Sequence, residues 1–236
     1  MSEHLHLVFS DPPPEIDEVT FNEWYDFHLG EILVVPGFRA ARRYRLHVAV
    51  GSGGPARYRF LSAYELEAPP AEVMVALDEE VASERMQLPE WFPEVRFASF
   101  NCYSHGDASE PSLGDHLYLV FSAPPSGVDA GLYVRWYGTH AAENTSVAGF
   151  EASWRFRLEP VVVDATEPTI QDHLALYGVS KELAELRAGL DAAKVNGAIG
   201  FPTWFDQIPF VSLDAHQLGG RVRAEEIRAS GRSDPL

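Results

Sequence analysis

The stretch FNEWYDFHLGE at residues 21–31 decides the fold, because the chain carries it twice. The second copy reads YVRWYGTHAAE at residues 133–143, and a Gly-Phe pair follows each copy a few residues later. The copies lie a constant 112 residues apart, so that His28 matches His140. This repeat predicts two similar structural units within the 236-residue chain.

Each copy predicts a helix with one aromatic face. In the first copy Phe21, Trp24, Tyr25 and His28 stand at i, i+3, i+4 and i+7, and the second copy keeps this spacing. Thr20 or Asp17 is suited to cap the first helix. The Gly-Phe pair then ends each helix and turns the chain back.

Alternating apolar residues predict four strands in each half, around two helices. The predicted strands span 4–9, 41–46, 60–66 and 95–101, then 116–121, 153–158, 173–179 and 208–213. The second helix of each half is predicted over 71–85 and 181–194. From the third strand onward the two halves match at an offset of 113. The order β-α-β-β-α-β is the ferredoxin-like plan. We therefore expect ferredoxin-like halves at 1–104 and 116–213, followed by a tail at 214–236 that wraps the surface or is partly disordered.

Composition excludes several classes of partner. The net charge of −17 argues against nucleic acid and anionic membranes, since both require a basic surface. No apolar run approaches the roughly 20 residues of a membrane-spanning helix, and the start of the chain shows no signal-peptide pattern. The single cysteine, Cys102, cannot form an internal disulfide, which is typical of a reducing compartment. We expect a cytoplasmic protein, with a homodimer as one option.

The two faces of the predicted strands bear on function. Strand alternation separates Leu5, Leu7 and Phe9 from a face that carries His4 and His6. We expect the apolar face to contact the helices and the polar face to line the space between the two sheets. Other residues are predicted on that polar face: Tyr118, Arg43, Arg45, Arg155 and Arg157. Buried arginines need carboxylate partners or a bound anion, and the sequence leaves both options open.

The motif W-Y-x-x-H, followed by Gly-Phe and a strand, resembles the EthD-like branch of the dimeric α/β-barrel superfamily. The resemblance implies an α+β fold in which two ferredoxin-like halves pack as an intramolecular dimeric-type α/β barrel. It also implies a range of activities: cofactor-free monooxygenases, polyketide cyclases, decarboxylases, dehydratases, lactone isomerases and haem enzymes.

The first candidate site residues are the helix histidines, His28 and His140. Histidine is the usual general acid or base near neutral pH. Tyr25 and Tyr137, one turn earlier, are candidate proton donors, and Glu31 and Glu143 are placed to orient the imidazoles. A core histidine hydrogen-bonded beneath the helix is the alternative interpretation, and we weigh the two equally.

The second candidate is a ligand-binding face. Arg43 and Arg155 are candidate anion clamps, and His6 and Tyr118 are candidate contacts on the same face. Trp24 and Trp136 form either core or a ligand wall. We expect no metal site and no cofactor, because one His and one Glu on a helix do not make a metal site.

The sequence as a whole predicts a cofactor-independent lyase or isomerase for a small aromatic or polyketide-like anion. His28 or His140 would transfer the proton in an elimination, isomerisation or decarboxylation. Two alternatives remain: a monooxygenase, either cofactor-free or haem-dependent, and a non-catalytic protein that binds a small ligand or serves in assembly.

Overall fold

The predicted order of elements is confirmed in both halves. A computed structural model describes residues 4–48, 56–106, 113–162 and 171–230. The first half contains β1 (His4–Asp11), α1 (Glu18–Val34), β2 (Phe38–Val48), β3 (Phe60–Leu66), α2 (Pro70–Ala82) and β4 (Arg96–Ser104). The second contains β5 (His116–Ser122), α3 (Ala130–Asn144), β6 (Phe150–Val162), β7 (His173–Val179), α4 (Leu183–Val195) and β8 (Phe210–Gln217).

The eight strands close into one antiparallel barrel. Within the halves the strands lie in the orders β4-β1-β3-β2 and β8-β5-β7-β6. Two seams join the halves, β4 with β6 and β2 with β8. This confirms the predicted α+β class, with two ferredoxin-like halves packed as an intramolecular dimeric-type α/β barrel.

The barrel interior is apolar, and our assignment of the strand faces was wrong. Leu5, Leu7 and Phe9 lie in one buried cluster with Trp154 and Phe156 of the other half, and this cluster contains no helical residue. These side chains therefore fill the barrel, whereas His6 and the arginines turn toward the helices. The physical reason is that an eight-stranded barrel is just wide enough to be filled by side chains, and unpaired charges there would be costly.

Capping and turn geometry repeat between the halves. Asp17, one of the two predicted caps, accepts hydrogen bonds from the backbone N–H groups of Val19 and Thr20 at 2.9 and 3.0 Å. Asp129 caps α3 through the backbone N–H of Leu132 at 2.8 Å. An N-cap carboxylate satisfies amide groups that have no partner within the helix.

The chain beyond Leu213 continues in ordered structure. Strand β8 extends to Gln217, and β9 (Val222–Arg223) and α5 (Ala224–Ser230) follow it. Arg221 Nε donates to the buried carboxylate of Glu65 at 2.7 Å, and β9 pairs with β2. This part of the predicted tail therefore wraps the first half, while residues 231–236 lie outside the described residues. Among the described residues, no helix is long and apolar enough to cross a bilayer.

The repeated glycine is required by its turn. Gly37 has φ of +96° and its counterpart Gly149 has φ of +109°. A Cβ atom at Gly37 would lie 2.6 Å from Val73 Cγ2 on α2, and one at Gly149 would lie 2.7 Å from Leu186 Cδ2 on α4. Each turn thus combines a left-handed backbone with close packing against the second helix of its half.

We predict that Gly37→Ala lowers the free energy of unfolding by about 1–3 kcal/mol, because it adds both backbone strain and a steric clash. Urea unfolding at neutral pH measures the effect. Gly219→Ala is the matched control, since a Cβ there meets nothing within 4 Å. Its effect should stay within about 0.5 kcal/mol. Equal stability of the two variants would contradict the role of the turn.

Candidate active site

Each half contains a cavity between its two main helices and the outer face of the barrel strands. We call them the half-one and half-two cavities, and each has a volume of about 360 Å³. Eight of the ten predicted site residues line them: His6, Trp24, Tyr25, His28, Tyr118, Trp136, Tyr137 and His140. The helix histidines and the strand residues, which the sequence placed on opposite faces of the sheet, therefore belong to the same site in each half.

The tryptophan and glutamate of the repeated motif hold a loop in place. Trp24 Nε1 donates to the carbonyl of Gln87 at 3.3 Å, and Glu31 accepts the Gln87 N–H at 2.7 Å. In the second half Trp136 donates to the carbonyl of Gly200 at 3.4 Å, and Glu143 accepts the Gly200 N–H at 2.9 Å. The repeated tryptophan and glutamate therefore have a structural role in both halves, whether or not they take part in catalysis.

His28 has its own partner in this arrangement. Its Nδ1 lies 3.0 Å from Glu31 Oε2, and its ring stacks on Trp24 with centroids 4.9 Å apart. Because a carboxylate only accepts, Nδ1 is the donor and the neutral ring keeps its lone pair on Nε2. His28 thus resembles both an oriented base and a satisfied core histidine.

His140 occupies the same place but lacks that hydrogen bond. Its Nδ1 lies 3.9 Å from Glu143 Oε2 and has no partner among the described residues. Its ring stacks on Trp136 at 4.8 Å. Burial lowers the pKa of His140 to about 4, although the nearby Glu143 carboxylate acts in the opposite direction. His140 is therefore neutral at pH 7 and able to accept a proton.

The two helix tyrosines are buried between helix and sheet. Tyr25 packs beneath a guanidinium, with Arg43 Cζ 4.4 Å from its ring centroid. The Tyr137 hydroxyl donates to the carbonyl of Val120 at 3.4 Å, and burial raises the pKa of Tyr137 well above its usual value. Tyr137 therefore stays protonated at neutral pH, and its hydroxyl proton is already donated to Val120.

The two predicted anion clamps, Arg43 and Arg155, do not line either cavity. Arg43 donates to Asp26 at 2.8 Å and to the Asn22 side chain at 2.8 Å, so its charge is already paired. Arg155 donates to the carbonyl of Val134 at 3.2 Å. Its guanidinium fills the space where a Cβ of Gly138 would lie, 2.8 Å from Nη1.

The strand residues differ between the cavities. His6 Nδ1 lies 2.9 Å from Asn101 Oδ1, and burial lowers the pKa of His6 to about 4 despite this hydrogen bond. Tyr118 takes the corresponding place in half two. Burial raises its pKa, although a hydrogen bond with Ser212 and the charge of Arg187 oppose the change. Tyr118 is therefore a neutral hydroxyl beside the cavity.

Sequence reasoning missed the cations of the half-two cavity. Arg187 and Lys194 on α4 line it, and the half-one cavity has Met74 and Val81 at the equivalent positions. Asn144 lines the half-two cavity where half one has Ile32. The signal was present in the offset of 113 between the second helices, which we did not use to compare cavity residues.

Three buried polar atoms of the half-two cavity have no partner among the described residues. They are His140 Nδ1, Asn144 Oδ1 and Arg187 Nη1. The other end of the Asn144 amide is occupied, since Nδ2 donates to the Tyr177 hydroxyl at 3.1 Å. Buried polar groups are nearly always hydrogen-bonded. The half-one cavity has one such atom, Ser10 Oγ, so the half-two cavity has more polar atoms that a ligand could satisfy.

Comparison with known proteins supports the fold and gives no family. No family model matches the chain, and no curated protein matches it. An anthrone oxidase-like protein of known structure is 14% identical, with a TM-score of 0.50, and the alignment covers 95% of this chain and 96% of that one. A chlorite dismutase from Candidatus Nitrospira defluvii is 8% identical, with a TM-score of 0.48 and coverage of 97% and 95%.

We predict that the protein loses stability as the pH falls from 7 to 5. His140 and His6 have folded pKa values of about 4, against about 6.5 in the unfolded chain. Between pH 4 and pH 6.5 the unfolded state binds more protons than the folded state. Each histidine therefore lowers the free energy of unfolding by about 1–2 kcal/mol at pH 5. Urea unfolding at pH 7 and at pH 5 measures the free energy of unfolding. The difference between the two values should be smaller in His140→Gln than in the parent protein. An unchanged difference in this variant would contradict the burial effect.

Proposed function

We propose that the half-two cavity binds a hydroxylated aromatic anion, and that His140 removes a proton from it in a cofactor-independent, monooxygenase-type reaction with dioxygen. The observation that carries this proposal is the convergence of His140 Nδ1, Asn144 Oδ1 and Arg187 Nη1, all without partners, in one cavity. A ligand would supply the hydrogen bonds that these buried atoms lack.

The chemistry of the ligand follows from each group. The Arg187 guanidinium is always charged and pairs best with a carboxylate or phenolate oxygen. Asn144 Oδ1 can only accept, so it requires a hydroxyl donor on the ligand. Aromatic rings form the wall of the cavity: Trp136, Phe150, Phe201 and Phe205. These features favour a flat, hydroxylated and negatively charged ring system.

His140 is the base in the proposed reaction. An anion held by Arg187 would raise the pKa of the adjacent imidazole, because an opposite charge favours the protonated form. Loss of a proton from an activated CH₂ group leaves a carbanion, which bonds to dioxygen to form a peroxide. The peroxide loses water to leave a carbonyl, so that CH₂ and O₂ give C=O and H₂O. Tyr118 and Arg187 would stabilise the negative oxygen.

The choice of oxidation over elimination rests on the fold neighbour. That protein is described as anthrone oxidase-like, and oxidation of an anthrone-type CH₂ requires the base and anion site proposed here. The lyase or isomerase reaction predicted from the sequence is the second candidate, because proton removal by His140 is its first step too. Oxygen consumption separates the two.

A haem-dependent reaction fits the cavities less well. A volume of about 360 Å³ lies near the lower end of the range for ligand pockets, roughly 300–1,000 Å³. Such a cavity suits two or three fused rings better than a porphyrin. Among the described residues, the half-one cavity also has no lysine or arginine in its lining to pair with haem propionates. No step of the proposed reaction uses haem.

Membership of the EthD-like branch is part of the same proposal. Its support is the W-Y-x-x-H motif, which occurs in both halves on helices that face a cavity. The hydrogen bonds of the tryptophan and glutamate give this motif a structural use as well, so the motif alone does not fix the reaction.

We predict that His140→Gln lowers kcat by about 10²–10⁴-fold on anthrone-type substrates, which carry the activated CH₂ group, because the general base is removed. The assay follows oxygen uptake and product formation by mass spectrometry. His28→Gln is the matched control in half one and should keep at least about half of the activity.

The outcomes of this experiment are distinct. Full activity in both single variants and in the double variant would overturn the role of the histidines. Turnover that continues without oxygen would replace the oxygenase with the lyase or isomerase. A ligand that binds and is recovered unchanged would support the alternative of a non-catalytic binding protein. A Soret band in the purified protein would point to haem.

We predict that Arg187→Met, which introduces the residue of half one, weakens binding of an aromatic carboxylate by about 10-fold or more. The variant removes the cation that we propose pairs with the anion. Isothermal titration calorimetry with hydroxynaphthoate measures the affinity. Met74→Leu in the half-one cavity is the control and should leave it unchanged. Equal affinity in Arg187→Met would place the anion elsewhere.

A further inference from the structure

A cluster of three potential metal ligands lies on the strands of half two, outside the lining of the half-two cavity. It consists of His116 on β5 and Asp214 and His216 on β8, and one ligand atom of each lies within 4.8 Å of the others. We propose that these three side chains bind a divalent transition-metal ion. The proposal is independent of the function proposed for the cavity.

The strand register sets this geometry before any ion binds. His116 and His216 are direct partners across the antiparallel pair of β5 and β8. Asp214 lies two residues before His216, and alternate residues of a strand share a face. Three ligands are therefore fixed by backbone pairing and need no loop to close around an ion.

The distances suit direct coordination. His116 Nε2 lies 2.5 Å from Asp214 Oδ1, and His216 Nε2 lies 2.8 Å from Asp214 Oδ2. Neighbouring ligands of an octahedral ion, with bonds of about 2.1 Å, are about 3 Å apart. An ion would replace the two hydrogen bonds to Asp214, and the stacked imidazole rings, with centroids 4.1 Å apart, would turn their nitrogens toward it.

The chemistry of the set favours a transition metal over calcium or magnesium. Two imidazoles and one carboxylate are the ligands that zinc, iron, cobalt and manganese accept, whereas calcium and magnesium prefer oxygen alone. Three protein ligands leave coordination positions for water or a substrate. The His216 side chain is 36% exposed, against 9% for Asp214, so the cluster is open to solvent on one side.

The first half has different residues at the positions equivalent to this cluster. The equivalent residues are His4, Asn101 and Tyr103, in the same strand register. There Asn101 Oδ1 accepts a hydrogen bond from His6 Nδ1, and His4 packs edge-on against Tyr103. The fold therefore does not require a carboxylate and a second histidine here, and half two alone has acquired both.

The nearby cation does not neutralise the carboxylate of Asp214. The cation nearest in register is Arg45, which pairs with His216 across β2 and β8. Its guanidinium forms an ion pair with Glu18. His47 lies beside the cluster, with its ring centroid 5.5 Å from that of His216, and would add a third imidazole as a fourth ligand after a side-chain rotation.

The test is metal binding by the tag-free full chain after treatment with a chelator. Titration with Zn²⁺ in a calorimeter should give one saturable site per chain, and Co²⁺ should give a visible spectrum typical of nitrogen and oxygen ligands. Zn²⁺ should also raise the thermal unfolding midpoint, because an ion that binds the folded state stabilises it.

The decisive variant gives half two the residues of half one, as Asp214→Asn with His216→Tyr. It should lose the saturable site, the cobalt spectrum and the rise in midpoint, while its circular dichroism stays that of the parent. His116→Gln is a second variant with the same expected loss. His4→Gln, the half-one equivalent, should bind as the parent does. Undiminished binding in the double variant, or no saturable binding of Zn²⁺, Co²⁺ or Mn²⁺ by the parent, would overturn the proposal.

Discussion

The rest of the structure depends on the apolar filling of the barrel interior. Eight strands that close on themselves leave a space that side chains must fill without water. Leu5, Leu7, Phe9, Trp154 and Phe156 do so from both halves. Because strand residues alternate, the neighbours of these side chains along the strands, such as His6 and Arg155, point outward toward the helices. Both cavities lie in this layer between strands and helices.

Within that layer the halves share their framework and differ in their polar groups. The tryptophan and glutamate of the repeated motif anchor the same loop in each half. The histidine between them is hydrogen-bonded in half one and lacks that bond in half two. A feature that occurs in both halves is explained by packing, whereas a feature confined to one half needs a separate cause. Arg187 and Asn144 are of the second kind.

The sequence was sufficient for the elements and the barrel, because hydrophobic periodicity and an internal repeat both survive in a single chain. It could not tell which strand face lies inside, since alternation separates two faces without ranking them and both carry large side chains. The sequence also could not predict the partner of Arg43. Asp26 lies on the facing helix, and the contact depends on how that helix sits over the strand. The cations on α4 were predictable, had the second helices been aligned residue by residue.

A barrel built from one chain has a freedom that a barrel of two identical chains lacks. In a symmetric dimer, any substitution appears in both cavities, so one cavity cannot gain a cation that the other lacks. Here the two cavities have the same volume, about 360 Å³, yet Met74 faces one and Arg187 the other. Half two has buried polar atoms without a hydrogen-bond partner among the described residues, at His140, Asn144 and Arg187, where half one has the hydrogen-bonded His28 and the apolar Ile32 and Met74. Duplication within one chain therefore lets the two cavities differ in polarity while they share one framework.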